Sequence, residues 1–587
     1  MKDIYIADFE TSAESWLSKD KFARVWCACC VSVSPEPQTM FTVNNIDEFM
    51  RNVKELGNTQ IYFHNLKFDG QYIVDWLLKN NYKYSKSGEP NTYYCIISKD
   101  NEWFKIVVSY KKYSKNCIRT TFLDSYKKLP MSVQKVAQAF NLEEKKGSID
   151  YEMYRPINYM PTPEELEYIE NDCKIIAKAL HLQLKNGLDS ITIGCDALRH
   201  YKKMITNKAF DYLYPELTNK IDSEIRQSYK GGFVMLNDKY KNAKISGYGF
   251  DVNSLFPAVM NLEPIIKEVT GAKFLPYGVP EEFKLKYKYD EEYPLYIQTL
   301  ACEFKLKQGK LPMIQLKNYC YGTDTEYLKS SKGNVIVLTL TNFDLELFFE
   351  NYDVCVIDWL GGYKFKGSDC LFNKYIEHWY LVKQNAVGGN RQIAKSMLNN
   401  LYGKFARRPD KQNLKPKKSE NGFDLVVDDI TSFEEGKTLY TAVASFITSI
   451  ARVYIIRLAQ ALGDNWVYSD TDSLFITGLT LDEIMNYIPV DKDRLGWFKI
   501  EHDFDNSKFL RAKTYILHDK KADNKINVSI TCAGMSDLIK EDIINNSDTY
   551  EQAFDIFDYN KEFTGKLIPK RVNGGVVLIN QTFTIKF

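Results

Sequence analysis

The chain has 587 residues, enough for about four domain-sized units at roughly 150 residues each. Hydrophobic residues make up 44% and aromatic residues 14%, which fills several cores and excludes a disordered chain. Lys+Arg of 77 against Asp+Glu of 76 leaves a net charge of +1, which excludes a histone-like polycation but not a local basic groove.

The first residues lack the basic-then-apolar order of a signal peptide. The longest apolar run, 439–462, is interrupted by Arg452 and Arg457, so no membrane span is expected and the chain reads as soluble. Near the start, Asp8 and Glu10 share one face of a strand with Ile4 and Ile6, because side chains two apart point the same way. Next, Cys27, Cys29 and Cys30 lie in an apolar run, 25–31, that reads as a buried strand. No second C-x-x-C completes a zinc set, so these are structural thiols in a reducing cytosol. With only 6 histidines, a catalytic metal would rely on carboxylates, which favours magnesium or manganese.

A helix is expected to start at Pro163, with Thr162 as its cap and Glu165 completing a capping box. Leu166, Ile169, Cys173, Ile176, Ala177 and Leu180 form its apolar stripe. Tyr168 lies one turn before Asp172 on the same face. Asp8, Glu10, Asp69 and Asp172 therefore form a first acidic constellation, spread over a strand, a following segment and a helix. Two divalent cations held there would stabilise both the attacking water and the leaving oxygen of a phosphodiester, with Tyr168 orienting the water. The bland alternative is a set of surface acids beside a packing tyrosine.

Beyond a boundary near residue 190 and a flexible Tyr229-Lys230-Gly231-Gly232 segment comes a second constellation. Asp251 begins Asp-Val-Asn-Ser-Leu-Phe-Pro. Far downstream, Asp470-Thr471-Asp472 sits between two short apolar runs and reads as a tight turn joining two strands. Between them, a helix over 391–402 puts Arg391, Lys395, Asn399 and Tyr402 in one arc, opposite Ile393, Ala394, Met397, Leu398 and Leu401. Two cations, an amide and a ring in a row suit a triphosphate with a base or sugar above it, with Lys383 as a further contact. Gly403 follows directly, and Lys513-Thr514-Tyr515 is placed to hold a primer end. The Lys- and Tyr-rich stretches 263–362 and 407–438 look like insertions.

In this order, the motifs make the chain resemble a family B DNA polymerase, most closely the protein-primed phage polymerases of the phi-29 type. The set comprises D-x-E, N-x-x-x-D, Y-x-x-x-D, Y-x-G-G, D-x-x-S-L-(Y)-P, K-x-x-x-N-x-x-Y-G, D-T-D and K-x-Y. The resemblance implies a mixed α/β multidomain fold: a ribonuclease-H-like 3′–5′ exonuclease domain over 1–190, then a right-hand polymerase. Its parts are palm at 191–262 and 439–540, fingers at 363–406, and thumb at 541–587. Insertions fall at 263–362, which resembles the priming-protein-binding region, and at 407–438, a processivity and strand-displacement loop.

The resemblance also assigns roles. Asp8, Glu10, Asp69 and Asp172 would hold the exonuclease metals, with Tyr168 and Lys146 acting on water and phosphate. Thr11, His64, Asn65, Phe68, Ser125, Tyr126 and Tyr151 would hold the frayed strand. Asp251, the Val252 carbonyl and Asp472 would bind the polymerase metals, two Mg2+ (or Mn2+) per site, with Asp470 nearby. Ser254, Leu255, Phe256, Lys383, Lys395, Asn399 and Tyr402 would bind the nucleotide. Tyr229, Gly231, Gly232, Gly403, Lys513 and Tyr515 would touch DNA. Partners would be template and primer DNA, dNTPs and a terminal priming protein, with a monomeric enzyme in the cytoplasm of an infected bacterium. Two departures stand out: Phe256 replaces the usual tyrosine, and Ser148 replaces an acid, although Asp150 is nearby.

Overall fold

The structure is a computed structural model that describes residues 3–110, 117–144, 147–315, 327–407, 412–428 and 439–586. Its N-terminal sheet is built around the Asp3–Thr11 strand. This strand pairs antiparallel with Val25–Ser32 on one side and parallel with Thr59–Phe63 on the other. The expected buried thiol strand is therefore Val25–Ser32, with Cys27, Cys29 and Cys30 at 0% exposure. The Pro163–Lys185 helix packs against these strands and carries the expected capping box between Thr162 and Glu165. Residues Ile169, Cys173, Ile176, Ala177 and Leu180 of its stripe are buried.

A second sheet of seven strands lies in the middle of the chain. In spatial order it runs Val528–Cys532, Thr514–Asp519, Phe498–Arg511, Gly247–Val252, Ser473–Thr477, Trp466–Asp470 and Val234–Leu236. Every neighbouring pair is antiparallel, so strands far apart in sequence end side by side. The Thr441–Leu462 helix is buried along nearly its whole length against this sheet and the surrounding helices. By length and composition alone, segment 441–465 is long and apolar enough to cross a membrane. It is a core helix instead, with 94% of its most apolar window buried in the protein. The two arginines do not break the run; each finds acidic and carbonyl partners within the fold. Arg452 donates to Asp344 Oδ2 at 2.5 Å, and Arg457 donates to Glu350 Oε1 at 2.6 Å and to the Val269 carbonyl at 3.0 Å.

Residues 263–362 contain most of a four-stranded sheet: Leu275–Phe283, Tyr352–Ser368, Leu295–Leu306 and Ile336–Thr341. The Tyr352–Ser368 strand runs past residue 362 because both its halves pair with Leu295–Leu306. Residues 413–427 form a hairpin that extends the N-terminal sheet, with Asn413 opposite Ser98 and Leu414 opposite Ile97. The C-terminal hairpin, Glu562–Val572 with Gly575–Thr584, turns back onto the same N-terminal unit. Its turn makes close backbone contact there: Ala23 N donates to the Asn573 carbonyl at 2.8 Å, and Tyr72 Oη donates to the Val576 carbonyl. Gly574, at φ +95°, could not carry a side chain, since a Cβ would lie 2.0 Å from the Ala23 carbonyl oxygen.

Candidate active sites

The centre of the second sheet brings Asp251 and Asp472 together by backbone pairing. Asp251 lies near the end of Gly247–Val252 and pairs in register with Ser473. Next to it, Val252 N donates to the Asp472 carbonyl at 2.8 Å, which pins the Asp470–Asp472 turn against the Asp251 strand. Thr471 sits at φ +61°, a strained value for a β-branched residue, and its N–H donates to the Phe233 carbonyl at 2.7 Å. Burial pushes the Asp251 carboxyl up to about 6, against the pull of Lys499. Burial and then the charges of Asp251 and Asp470 push Asp472 up to about 7. Like charges are thus held near one another in a partly dehydrated pocket.

Asp470 has a different partner. Lys513 Nζ donates to both its oxygens, at 2.6 and 2.5 Å, while Lys513 N accepts a place beside the ring by donating to Tyr468 Oη at 2.9 Å. Tyr515 is 8% exposed and its ring packs against Phe509, Phe475 and Tyr468, with the Asp470 charge among those that reach its phenol. Within this tripeptide Lys513 bonds Asp470 directly, while Thr514 and Tyr515 are both buried.

The cationic helix spans Gly388–Asn400, and Tyr402 opens a separate short turn, Tyr402–Phe405. Ile393, Ala394, Met397, Leu398 and Leu401 are fully buried, while Arg391, Lys395 and Asn399 face out. The helix packs against Asn373–Asn385, which carries Lys383. Together they wall a cavity of about 670 Å³ lined by Asn253, Lys383, Arg391, Lys395 and Lys499. Lys383 Nζ donates to Asn253 Oδ1 at 2.8 Å and to Ser254 Oγ at 3.1 Å. Burial, with Arg391 and Lys395 nearby, pushes its ammonium down to about 8. Leu255 is 1% exposed, so only its backbone is available to a ligand. Phe256 stacks on Tyr402 with ring centroids 4.2 Å apart and planes at 30°.

Gly231 and Gly232 differ in what they require. A Cβ at Gly231 would meet nothing within 4 Å, whereas at Gly232 it would lie 2.7 Å from Thr471 Cγ2 and 3.0 Å from Thr471 Cα. Gly232→Ala must therefore shift the turn that carries Asp472. Because an ångström of misplacement costs about 100-fold in rate, a 10- to 100-fold loss of nucleotide incorporation is expected in a steady-state assay. An unchanged kcat would show that the turn adapts without moving its acid.

The first constellation lines another cavity, of about 1100 Å³. Asp8, Glu10 and Thr11 enter from the Asp3–Thr11 strand, and Tyr168 and Asp172 from the Pro163–Lys185 helix. His64, Asn65, Phe68, Tyr126, Asp150 and Tyr151 complete the wall, with Leu567 and Leu578 of the C-terminal hairpin. Tyr168 Oη and Tyr151 Oη are 2.7 Å apart. Burial, Asp172 and Glu10 hold the Tyr168 hydroxyl far above its ordinary pKa, so it stays a neutral donor. Asn65, at φ +81°, is fixed by its N–H donating to Asp124 Oδ1 at 3.0 Å.

Two expected residues stand apart from that wall. Asp69 is 3% exposed behind Asp8, and burial followed by the Asp8 charge pushes its carboxyl well up. Ser125 is 0% exposed, donates to the Phe63 carbonyl at 3.1 Å and bonds His64 Nδ1 at 3.0 Å. The turn after the Ile118–Asp124 strand points its hydroxyl inward, where it fixes His64. Lys146 lies outside the described residues.

Both donor sets are hard oxygens, which fits magnesium or manganese; at the second site they are Asp251, Asp472 and the Val252 carbonyl. Among the described residues, no three acids, histidines or cysteines close into a ready cage.

Several residues escaped sequence reading. Lys499 faces Asp251 only because the Phe498–Arg511 strand pairs in register with it. Asn253 lay inside a motif, but its contact with Lys383 depends on helix packing. Arg452 was read only as a break in an apolar run. In the fold, its guanidinium donates to the Lys230 and Gly231 carbonyls, both at 2.9 Å, and so fixes the Y-x-G-G segment.

A paired-acid strand end facing a cationic helix hairpin defines a metal-dependent nucleotidyl transferase. The chain belongs to the type B DNA polymerases, organellar and viral, whose family model matches residues 50–163 and 152–488. It is 41% identical over 604 residues to the DNA polymerase of Bacillus phage phi29, covering 100% of this chain and 99% of that protein. Identity to the DNA polymerase of Streptococcus phage Cp-1 is 30% over 608 residues, covering 99% and 98%. The fold matches phi29 DNA polymerase complexed with primer-template DNA at a TM-score of 0.89 and 40% identity, with both chains fully covered. It matches the ternary complex with incoming nucleotide substrates at 0.88. The protein is therefore a DNA-directed DNA polymerase of mixed α/β multidomain fold, and membership implies use of a divalent metal.

Proposed function

We propose that the chain is a protein-primed, proofreading replicative polymerase with separate synthetic and degradative centres. The observation that carries the reading is the pinning of Asp472 to Val252 beside Asp251, next to a cavity lined by five cationic side chains. Asp251, Asp472 and the Val252 carbonyl would hold two magnesium ions, which activate the primer 3′-hydroxyl and neutralise the leaving pyrophosphate. Lys383, Lys395 and Arg391 grip the triphosphate, and Tyr402 stacks on the incoming base. Lys513 holds Asp470 and stands where the primer end arrives. At the N-terminal cavity, Asp8, Glu10 and Asp172 would hold a second pair of ions, while Tyr168 donates to the attacking water. Phe68 and Tyr126 offer aromatic faces to unpaired bases of any sequence.

The domain limits given above are part of this reading, with the hairpin at 413–427 in the second insertion. Primer extension tests the whole: with dNTPs the primer should lengthen, and without them it should shorten. Lengthening without shortening would remove the proofreading half.

Phe256 closes the floor under Tyr402 and is the proposed sugar gate, since a packed ring excludes a ribose 2′-OH without any hydroxyl. Phe256→Val should raise ribonucleotide incorporation relative to dNTPs by about 10- to 100-fold, the scale of a hydrophobic-pocket discrimination. Unchanged sugar selectivity would move the gate to Tyr402.

The 413–427 hairpin and the C-terminal hairpin both seat on the N-terminal unit, which supports an enclosing path for DNA. Phe423 is 1% exposed in that unit's core, with the Arg571 guanidinium 4.4 Å from its ring centroid. Lys417 and Lys418 remain exposed for phosphate, and Arg408 and Lys411 lie outside the described residues. Phe423→Ala costs about 3–5 kcal/mol locally and should detach the hairpin. Product length in a single binding event, and synthesis through duplex, should then both fall; undiminished long products would make the hairpin a passive attachment.

Protein priming is supported by the same relatives and the two insertions. Lys305 and Lys310 are exposed on the first insertion, whereas Lys307 donates to the Phe349 carbonyl at 2.8 Å and so caps a helix; Lys317 lies outside the described residues. A terminal protein carrying a Ser, Thr or Tyr hydroxyl would dock on that face of a monomeric enzyme inside an infected bacterium. Covalent labelling of that partner by labelled dNTP and magnesium tests it.

A further inference from the structure

The Ile193–Ile205 helix, with its cap Thr192, bonds within its first two turns to a residue beside each centre, Lys128 and Lys404. On one side, Lys128 Nζ donates to Asp196 Oδ2 at 2.7 Å, with both side chains 0% exposed. The same ammonium donates to the Ser190 carbonyl at 3.0 Å, and Ser190 N donates to Asp196 Oδ1 at 2.9 Å. Lys128 directly follows the Ser125–Lys127 turn, which carries Tyr126 into the N-terminal cavity and fixes His64.

On the other side, Lys404 Nζ donates to Thr192 Oγ1 at 3.2 Å and lies 3.3 Å from Cys195 Sγ. Lys404 is two residues beyond Tyr402, in the same short helical turn. Gly194 permits this approach, because a Cβ there would lie 2.5 Å from Lys404 Cε and 3.3 Å from the Asn400 carbonyl. Thr192 and Asp196 are four residues apart, about 6 Å along a stiff helix. A buried ion pair is seldom needed for stability, since apolar replacements of equal volume hold a fold as well. What it supplies is a fixed direction and register, here between a strand-holding turn and the helix that also anchors Lys404.

We propose that the Ile193–Ile205 helix is a strut between the two centres, and that Lys128, Asp196 and Lys404 are positioning residues for both. Movement of Tyr402 as a base stacks on it is passed through Lys404 to the start of the strut. Asp196 and Lys128 then pass it to the turn that seats the unpaired strand. The inference rests on the reading that the N-terminal cavity receives that strand, so strand affinity is measured without hydrolysis.

The experiment uses the full chain and two readouts. One is the Kd of a fluorescent single-stranded oligonucleotide in EDTA, with Phe68→Ala identifying the share bound in the N-terminal cavity. The other is KM and kcat for dNTP in primer extension. Lys404→Met should weaken oligonucleotide binding in that cavity about three- to tenfold, although it lies outside it, the scale of energetic coupling between sites. Lys128→Met combined with Asp196→Leu should raise the dNTP KM by a similar factor with kcat unchanged, which a general loss of folded protein would not do. Lys404→Arg should restore wild-type behaviour at both. Gly194→Ala displaces Lys404 without touching a buried charge and should reproduce Lys404→Met, which keeps the test decisive if the double variant does not fold. If Lys404→Met and Gly194→Ala alter only dNTP kinetics, the strut does not couple the centres. If coupling is seen but the wild type never shortens a primer in magnesium, the proofreading reading fails and the strut stands.

Discussion

Asp472→Asn is expected to lower primer extension by at least about 1000-fold while leaving primer shortening without dNTPs intact, in keeping with loss of a charged group on which transition-state stabilisation depends. The reason is local. The Asp472 carbonyl is tied to Val252 N, so the amide variant keeps the turn in place and removes only a charge facing Asp251. The same change should raise the melting temperature of the protein in EDTA. Both carboxyls have folded pKa values above the ordinary range, at about 6 and about 7. Their contribution to stability is therefore most favourable at acid pH and is lost as pH rises through those values. In EDTA, wild-type stability should thus fall between about pH 4, the ordinary carboxylate range, and pH 7, and Asp472→Asn should flatten that fall. Protons also compete with the cation, so the magnesium needed for half-maximal extension should rise as pH drops below 7. Equal loss of extension and shortening in a folded Asp472→Asn protein would contradict two separate centres.

Asp8→Ala with Glu10→Ala is expected to give the mirror result. Shortening should fall by at least about 1000-fold, the scale of losing metal-held charge at a phosphoryl centre, with extension within about twofold of wild type. Both side chains face the N-terminal cavity, and the strand that bears them pairs with Val25–Ser32 through backbone bonds that the substitutions leave intact. Misincorporated ends should then persist, seen as a higher frequency of mismatched termini in products. Residual shortening at wild-type rate would place the hydrolytic carboxylates elsewhere, with Asp69 and Asp172 the remaining acids of that group.

Much of both sites was legible because their chemistry sits in short local patterns. The alternation that puts Asp8 and Glu10 on one strand face holds in the structure, as do the Thr162–Glu165 capping box and the two-sided helix of Arg391, Lys395, Ile393 and Met397. These depend on a period of 2 or 3.6 and on neighbours within a few residues. The burial of Ser125 and Tyr515 was not legible, because a motif fixes residue type but not which way a turn or strand presents it. The arginines of the run 439–462 were read only as interruptions for a related reason: they look prohibitive in an apolar stretch until Asp344, Glu350 and buried carbonyls are found beside them.

By itself, the sequence determined which groups are available: two sets of acids, a cationic helix, a Gly-Gly segment and thiols confined to a strand. Only the tertiary structure decided which of them meet. Lys499 reaches Asp251 through antiparallel register, Gly232 is required by the backbone of Thr471, and Arg452 reaches the Y-x-G-G carbonyls from a helix more than 200 residues downstream. The 413–427 hairpin joins a sheet at a strand, Thr92–Ser98, more than 300 residues earlier, and nothing in its own Lys-rich pattern names that edge. Hydrogen-bond register and side-chain burial are long-range properties of the packed chain, and local periodicity carries no record of them.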